Sequence, residues 1–211
     1  MNGVVTQLQL QRRRTDRVNV FLDDEYAFSL ALDLAAGLSR GQVLSDGDVE
    51  GLRAEDAYRV ALDRALGYLA SRPRSRAEID GYLREREVDE PVRCRVLERL
   101  EALELVDDHA FAAWWVANRG AHRPRGRLAL RSELSARGLS RDAIEAAVAE
   151  VDDEDAAVAL ALSRAEHYRG LDRAGLDHRL GGYLRRRGFD YATVRGALEA
   201  AWARLEGGDE A

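Results

Sequence analysis

Apolar and polar side chains alternate along the first thirty residues. Thr6, Leu8 and Leu10 interleave with Gln7, Gln9 and Gln11; further on, Val18, Val20 and Leu22 interleave with Asn19 and Phe21. A period of two is the signature of strands with one buried face. The polar stretch 12–16 reads as a connection, and Asp23-Asp24 as a turn leading into Glu25-Tyr26-Ala27-Phe28, so a small antiparallel meander is expected. A short helix around residues 31–36 should stop at Gly37. Ser45 with Asp48 three residues later marks a helix start, because the serine oxygen can accept from free backbone N–H groups of the first turn.

From about residue 48 the period becomes helical and the chain repeats itself. Arg72-Pro73-Arg74-Ser75-Arg76 returns as Arg123-Pro124-Arg125-Gly126-Arg127, offset by 51. Ile79 and Leu83 match Leu130 and Leu134 at that offset, then Leu180 and Leu184 at a further 50. First helices are expected over 54–70, 109–121 and 154–168, second helices over 76–86, 127–137 and 173–187, and third helices over 91–104, 141–151 and 191–205. Ser75 with Glu78 forms a capping box, and Ser140 and Asp190 precede the last helices of the second and third units. Self-similarity at this period is the mark of a helical repeat array, in which no unit buries its apolar face alone. The expected architecture is mainly α: an elongated array of three tandem three-helix repeats preceded by a small N-terminal β-meander. The expected segments are 1–47 for the β-rich part and 48–106, 107–151 and 152–211 for the repeats.

Composition narrows the class. The 211 residues carry one cysteine, Cys94, which cannot form an intramolecular disulfide. No apolar run exceeds the eight residues 110–117, far short of the ~20 that span a bilayer. The N-terminus lacks the basic-then-apolar order of a signal peptide, so a cytoplasmic protein without a membrane partner is expected. All 32 basic residues are arginine, which rules out chemistry that needs a lysine. The net charge of −6 hides a polarised chain: residues 119–141 carry seven arginines and one acid, while residues 142–170 carry two arginines and eight acids.

The catalytic inventory is thin. His109, His122, His167 and His178 lack metal-ligand spacing, and there is no phosphate loop or serine elbow. Cys94, between Arg93 and Arg95, reads as a buried or incidental cysteine rather than a nucleophile. Asp152-Asp153-Glu154-Asp155 reads as acids favoured by a helix N-terminus. The expectation is a protein with no enzymatic activity, no catalytic residues, no cofactor and no metal. Phe111, Trp114 and Trp115 lie on one first helix, where aromatics at this spacing pack into a core; Trp114 is the indole expected to reach the surface as a partner anchor.

The sharper expectation concerns the corners. Arg72, Arg74 and Arg76 bracket one turn and Arg123, Arg125 and Arg127 the next, with Arg119 and Arg131 one helical turn to either side. Proline stiffens each corner, and guanidinium groups suit carboxylate or phosphate. These eight arginines are the candidate partner- or phosphate-binding residues, the alternative being a solvated or internally paired surface.

These motifs together resemble the RecX family. They run from Arg72-Pro73-Arg74-Ser75 with Glu78, Tyr82 and Leu83, through Leu105-Val106-Asp107-Asp108, Phe111-Ala112, Trp115-Val116 and Asn118-Arg119. They continue through Arg123-Pro124-Arg125-Gly126, Leu130, Glu133-Leu134 and Gly138-Leu139. The resemblance covers residues from about 60 onward, weakens where Arg173-Ala174-Gly175 replaces the corner, and extends to the strands within 17–29. It implies a cytoplasmic, monomeric regulator in homologous recombination, DNA repair and the SOS response. Such a protein binds the RecA recombinase and its filament on single-stranded DNA, and limits filament growth, ATP hydrolysis and strand exchange. Weak direct DNA binding is a further implied partner interaction, and an autonomous helical-repeat protein gripping the phosphate backbone through arginines is the alternative.

Overall fold

Strand pairing follows the early alternation. In the computed structural model, which describes residues 2–206, β1 (Gly3–Leu10), β2 (Arg17–Leu22) and β3 (Glu25–Ala31) form an antiparallel meander. A two-residue β4 (Val43–Leu44) adds to the far side of β1, giving the order β3-β2-β1-β4. That fourth strand is too short to leave a periodic trace. Val5, Val18, Val20, Leu22, Phe28 and Leu30 bury one face of the sheet against Val49 and Leu52 of α2 (Asp46–Leu69), each contributing about 1.5–3 kcal/mol of apolar burial. Between sheet and helix, α1 is a single turn, Leu32–Ala35.

Helix α2 begins at Asp46 rather than at residue 54, because the Ser45–Asp48 capping box starts it. Ser45 Oγ accepts from Asp48 N at 3.2 Å while Asp48 Oδ2 accepts from Ser45 N at 2.8 Å. A second tie fixes α2 to the sheet: Asp56 Oδ2 accepts from Arg17 Nη2 at 2.7 Å, and Asp56 Oδ1 accepts from Ala31 N at 2.7 Å. Both partners of the pair are nearly buried. Removing one would strand the other, a loss of about 3–5 kcal/mol.

The rest is helical in the expected triplets. The first comprises α2, α3 (Arg76–Arg84) and α4 (Glu90–Ala102). The second is α5 (Asp108–His122), α6 (Arg127–Ser135) and α7 (Arg141–Val148); the third is α8 (Asp153–Ala165), α9 (Arg173–Arg186) and α10 (Tyr191–Glu206). A 3-10 turn, Glu166–Tyr168, extends α8. By contacts the chain divides into two compact units, residues 1–72 with 79–105 and residues 73–78 with 106–211. In the second unit, Phe111, Trp115, Leu130, Leu134, Ile144 and Val148 form one core cluster. A second cluster joins α8 to α10 through Ala157, Ala161, Ala165, Ala197 and Ala201, whose small side chains let the two helices pack closely.

Candidate partner interface at the arginine corners

Each second helix leaves the core through the same turn. The amides of Val88, Leu139 and Phe189 return to the carbonyls of Leu83, Leu134 and Leu184, the closure that a left-handed residue permits at a helix end. The left-handed residue is Glu87, Gly138 or Gly188 in turn. Gly138 and Gly188 are required by what lies beneath them. A Cβ on Gly138 would collide with Ala77, and one on Gly188 with Ala129, at the start of the second helix one repeat earlier.

The arginine corners are the other half of these joints. At the first, Ser75 Oγ donates to Arg137 O at 2.8 Å and also accepts from Glu78 N at 3.1 Å, so the capping box doubles as a clamp. At the second, Gly126 N donates to Arg187 O at 3.0 Å. An acid from the following first helix completes each joint: Asp108 Oδ1 accepts from Arg76 N at 2.9 Å, and Asp153 accepts from Arg127 N at 3.0 and 3.1 Å. Helix α9 lacks the corner and carries its own cap, Asp172 Oδ1 accepting from Gly175 N at 2.8 Å.

The candidate arginines separate by what they hold. Arg119 Nε donates to Glu133 Oε2 at 2.8 Å, and Arg125 lies 3.3 Å from the other oxygen of Glu133. Glu133 also accepts from Trp115 Nε1 at 2.9 Å. Guanidinium groups lie over that indole from both Arg137, 3.6 Å from its centroid, and Arg119, at 4.5 Å, a cation–π arrangement worth about 0.5–2 kcal/mol for each cation. Arg127 turns inward and donates through Nε to Val151 O at 2.8 Å. Arg131 makes a two-pronged pair with Glu145, both bonds 2.8 Å. This pairing holds the Glu145 carboxyl below the ordinary range and raises Arg131 above its own. Arg72 and Arg74 are half-buried, while Arg76 and Arg123 are exposed. Thus Arg119, Arg125, Arg127 and Arg131 are gathered around the second repeat, each with an internal partner.

Phe111 and Trp115 are buried, and Trp114 is half-buried beside them, its ring 5.8 Å from Phe111. Cys94 is exposed, so of the two readings, buried or incidental, the buried one falls. Asp152 caps α8 as expected, accepting from Glu154 N and Asp155 N at 2.9 and 3.0 Å. Burial pushes the neighbouring Asp153 carboxyl above the usual aspartate range. Among the described residues no group of three His, Cys, Asp or Glu side chains is placed to hold a metal ion. No helix among them is long and apolar enough to cross a membrane.

The corner motif did not point to the arginines that end α9. Arg125 Nη1 donates to Arg186 O at 3.4 Å and Arg187 Nη1 to Pro124 O at 3.5 Å, bringing 185–187 beside 123–125. Arg185 and Arg186 are exposed and, like Arg123, form no ion pair among the described residues. The run Arg185-Arg186-Arg187 is visible in the chain, yet its neighbourhood exists only once the joint closes.

Fold and site together define a tandem three-helix-repeat protein with an N-terminal sheet, its repeats clamped through arginine-bearing corners. The family models agree with this layout: the RecX N-terminal domain matches residues 3–45, the first RecX three-helix domain residues 61–100 and the second residues 107–148. The chain belongs to the RecX family. It is 30% identical over 200 residues to the regulatory protein RecX of Bacillus subtilis, covering 92% of this chain and 76% of that one. With RecX of Lactobacillus delbrueckii the identity is 35% over 155 residues, covering 72% and 57%. A crystal structure of regulatory protein RecX superposes with a TM-score of 0.72 at 25% identity, covering 94% of this chain and all of the other.

Proposed function

We propose that this protein is a regulator without catalytic activity that binds RecA and its filament on single-stranded DNA. It limits filament growth, ATP hydrolysis and strand exchange, and acts as a monomer in the cytoplasm during recombinational repair and the SOS response. The observation that carries the reading is likeness to regulatory RecX proteins along almost the whole chain, sheet and repeats alike. The contact surface is assigned to the arginine corners, the exposed Arg76 and Arg123 with the half-buried Arg72, Arg74 and Arg125, and to Trp114 as an apolar anchor. Arg119, Arg127 and Arg131 hold that surface in shape through the internal partners described above. One observation favours a second reading, direct grip on a phosphate backbone: exposed Arg123, Arg185 and Arg186 meet at the second joint with no acid paired to them among the described residues.

RecA ATP hydrolysis on single-stranded DNA, followed as this protein is added, tests the first reading. Hydrolysis should fall at sub-stoichiometric ratios, and the protein's retention on DNA should rise when RecA is assembled there. Hydrolysis unaffected by excess protein, with DNA binding indifferent to RecA, would replace the first reading by the second.

A further inference from the structure

The outer edge of β1 carries an unfinished ladder. Gln11 donates its amide to the Arg17 carbonyl at 2.9 Å, and Gln9 and Gln7 face Asn19 and Phe21 in the same phase. These are the hydrogen-bonded pairs of an antiparallel ladder, so the peptide groups of Leu8 and Leu10 point the other way, off the sheet. On that side β4 pairs only with Gly3 and Val4. Val5 is also satisfied there, its amide donating to Gln42 O at 2.8 Å and its carbonyl accepting from Gly41 N at 2.7 Å. Past Val5 no strand lies against this outer side of β1 among the described residues.

Proteins usually blunt such an edge with charge, proline or a covering loop. Residues 6–10 contain neither charge nor proline. Leu8 packs partly against the sheet core, and Leu10, two positions along the same face, is 49% exposed. Arg12 and Arg13 follow directly, exposed and without an ion pair among the described residues, whereas Arg14 holds Asp16 at 3.3 Å. Unpaired peptide groups and apolar side chains along the edge of β1 are thus followed by two cations in the bend at its end.

We infer that this edge accepts an added strand from a partner protein: an extended segment running antiparallel to β1, with apolar side chains beside Leu8 and Leu10 and acidic residues opposite Arg12 and Arg13. Main-chain bonds supply the attachment in strand addition, and the flanking side chains select the sequence. The cations argue for an acidic segment. A second copy of this chain fits poorly, because pairing two β1 edges about Leu8 would place Arg12 and Arg13 against the other copy's β4. Naming RecA as the source of the segment rests on the proposed function; the edge itself does not.

The experiment reads single amides of the full chain by hydrogen exchange in nuclear magnetic resonance, with and without RecA filaments on single-stranded DNA. Exchange at Leu8 and Leu10 should slow by about ten-fold or more in the complex, as newly bonded edge amides do. Leu10→Pro should weaken filament binding about ten-fold with an unchanged thermal midpoint, since its lost N–H served no bond within the sheet. Leu10→Val should bind like the parent. Binding with exchange at Leu8 and Leu10 unaltered, or undiminished in Leu10→Pro, overturns the inference. If the filament does not bind at all, the functional reading falls, and a synthetic peptide of Asp-Glu-Asp followed by alternating Val and Thr decides the edge alone. Protection by that peptide, lost when its acids become lysines, supports the edge; no protection at millimolar peptide overturns it. Protection that grows with protein concentration alone, together with a doubled mass, gives the edge to a second copy and likewise overturns the inference.

Discussion

Asp153 does two things that oppose each other. Its carboxylate receives the first amide of α6, closing the second joint, and it does so in a partly buried place where ionisation is costly. Arg127 and Arg131 favour the charge, Asp190 opposes it, and burial outweighs them, so the folded pKa lies above the ordinary aspartate value of 3.8. For an acid shifted upward, the stabilisation is complete below the unfolded pKa and is lost as pH rises through the folded one. At neutral pH the joint therefore carries a penalty that protonation would relieve. Asp153→Asn keeps an acceptor for the Arg127 amide and removes the charge. Its thermal midpoint at pH 7 should exceed that of the parent, with the difference closing as pH falls toward about 4. Asp190 has the opposite sign: the Thr193 amide holds its carboxyl below the usual range, so its contribution is lost as pH falls. Thermal melts across pH check both, and a difference between Asp153→Asn and the parent that does not vary with pH would refute the assignment.

Between elements, the three equivalent turns form a natural experiment. Glu87, Gly138 and Gly188 all adopt positive φ; at the two glycines a Cβ would run into another helix, while the Glu87 side chain is exposed. Gly138→Ala and Gly188→Ala should each cost about 2–4 kcal/mol, combining the left-handed penalty of an L-residue with overpacking on Ala77 or Ala129. Glu87→Gly should change stability by no more than about 1 kcal/mol, since relief of the left-handed strain and added chain entropy nearly cancel. Urea denaturation distinguishes the two outcomes. The same turns explain what the chain disclosed beforehand. Periodic leucines and the recurring glycines, set by packing, lie in plain view at offsets of 51 and 50, so the triplets were readable. The corners were legible as arginines on a stiff turn. Their clamping role was not, because Ser75 meets a backbone carbonyl 62 residues away and Asp153 a backbone amide 26 away. A side chain that bonds to backbone needs no particular residue opposite it, and so leaves no pattern. β4 escaped for a simpler reason, two residues being too few to show a period.

At the scale of the whole molecule, the net charge of −6 is a poor guide to what the protein attracts. Residues 119–141 sum to +6, but Glu133, Glu145 and Asp153 answer four of the corner arginines internally, through side chain or backbone. The cationic surface left at the second joint is Arg123 with Arg185 and Arg186, drawn from two repeats. Attraction through such exposed charges is screened within about 8 Å at physiological salt, and a phosphate partner adds a steep dependence on salt concentration. Two variants separate recognition from architecture. Arg123→Ala with Arg185→Ala and Arg186→Ala should leave the thermal midpoint near that of the parent, weaken partner binding and flatten its salt dependence. Arg127→Ala removes donors to Val151 O, so its midpoint should fall by several degrees, as expected when a partly buried acceptor loses its bond. Binding isotherms at two salt concentrations, read beside thermal melts, decide the matter. A triple variant that melts early would place all of these arginines in the scaffold, and one that keeps both midpoint and affinity would move the contact surface elsewhere on the protein.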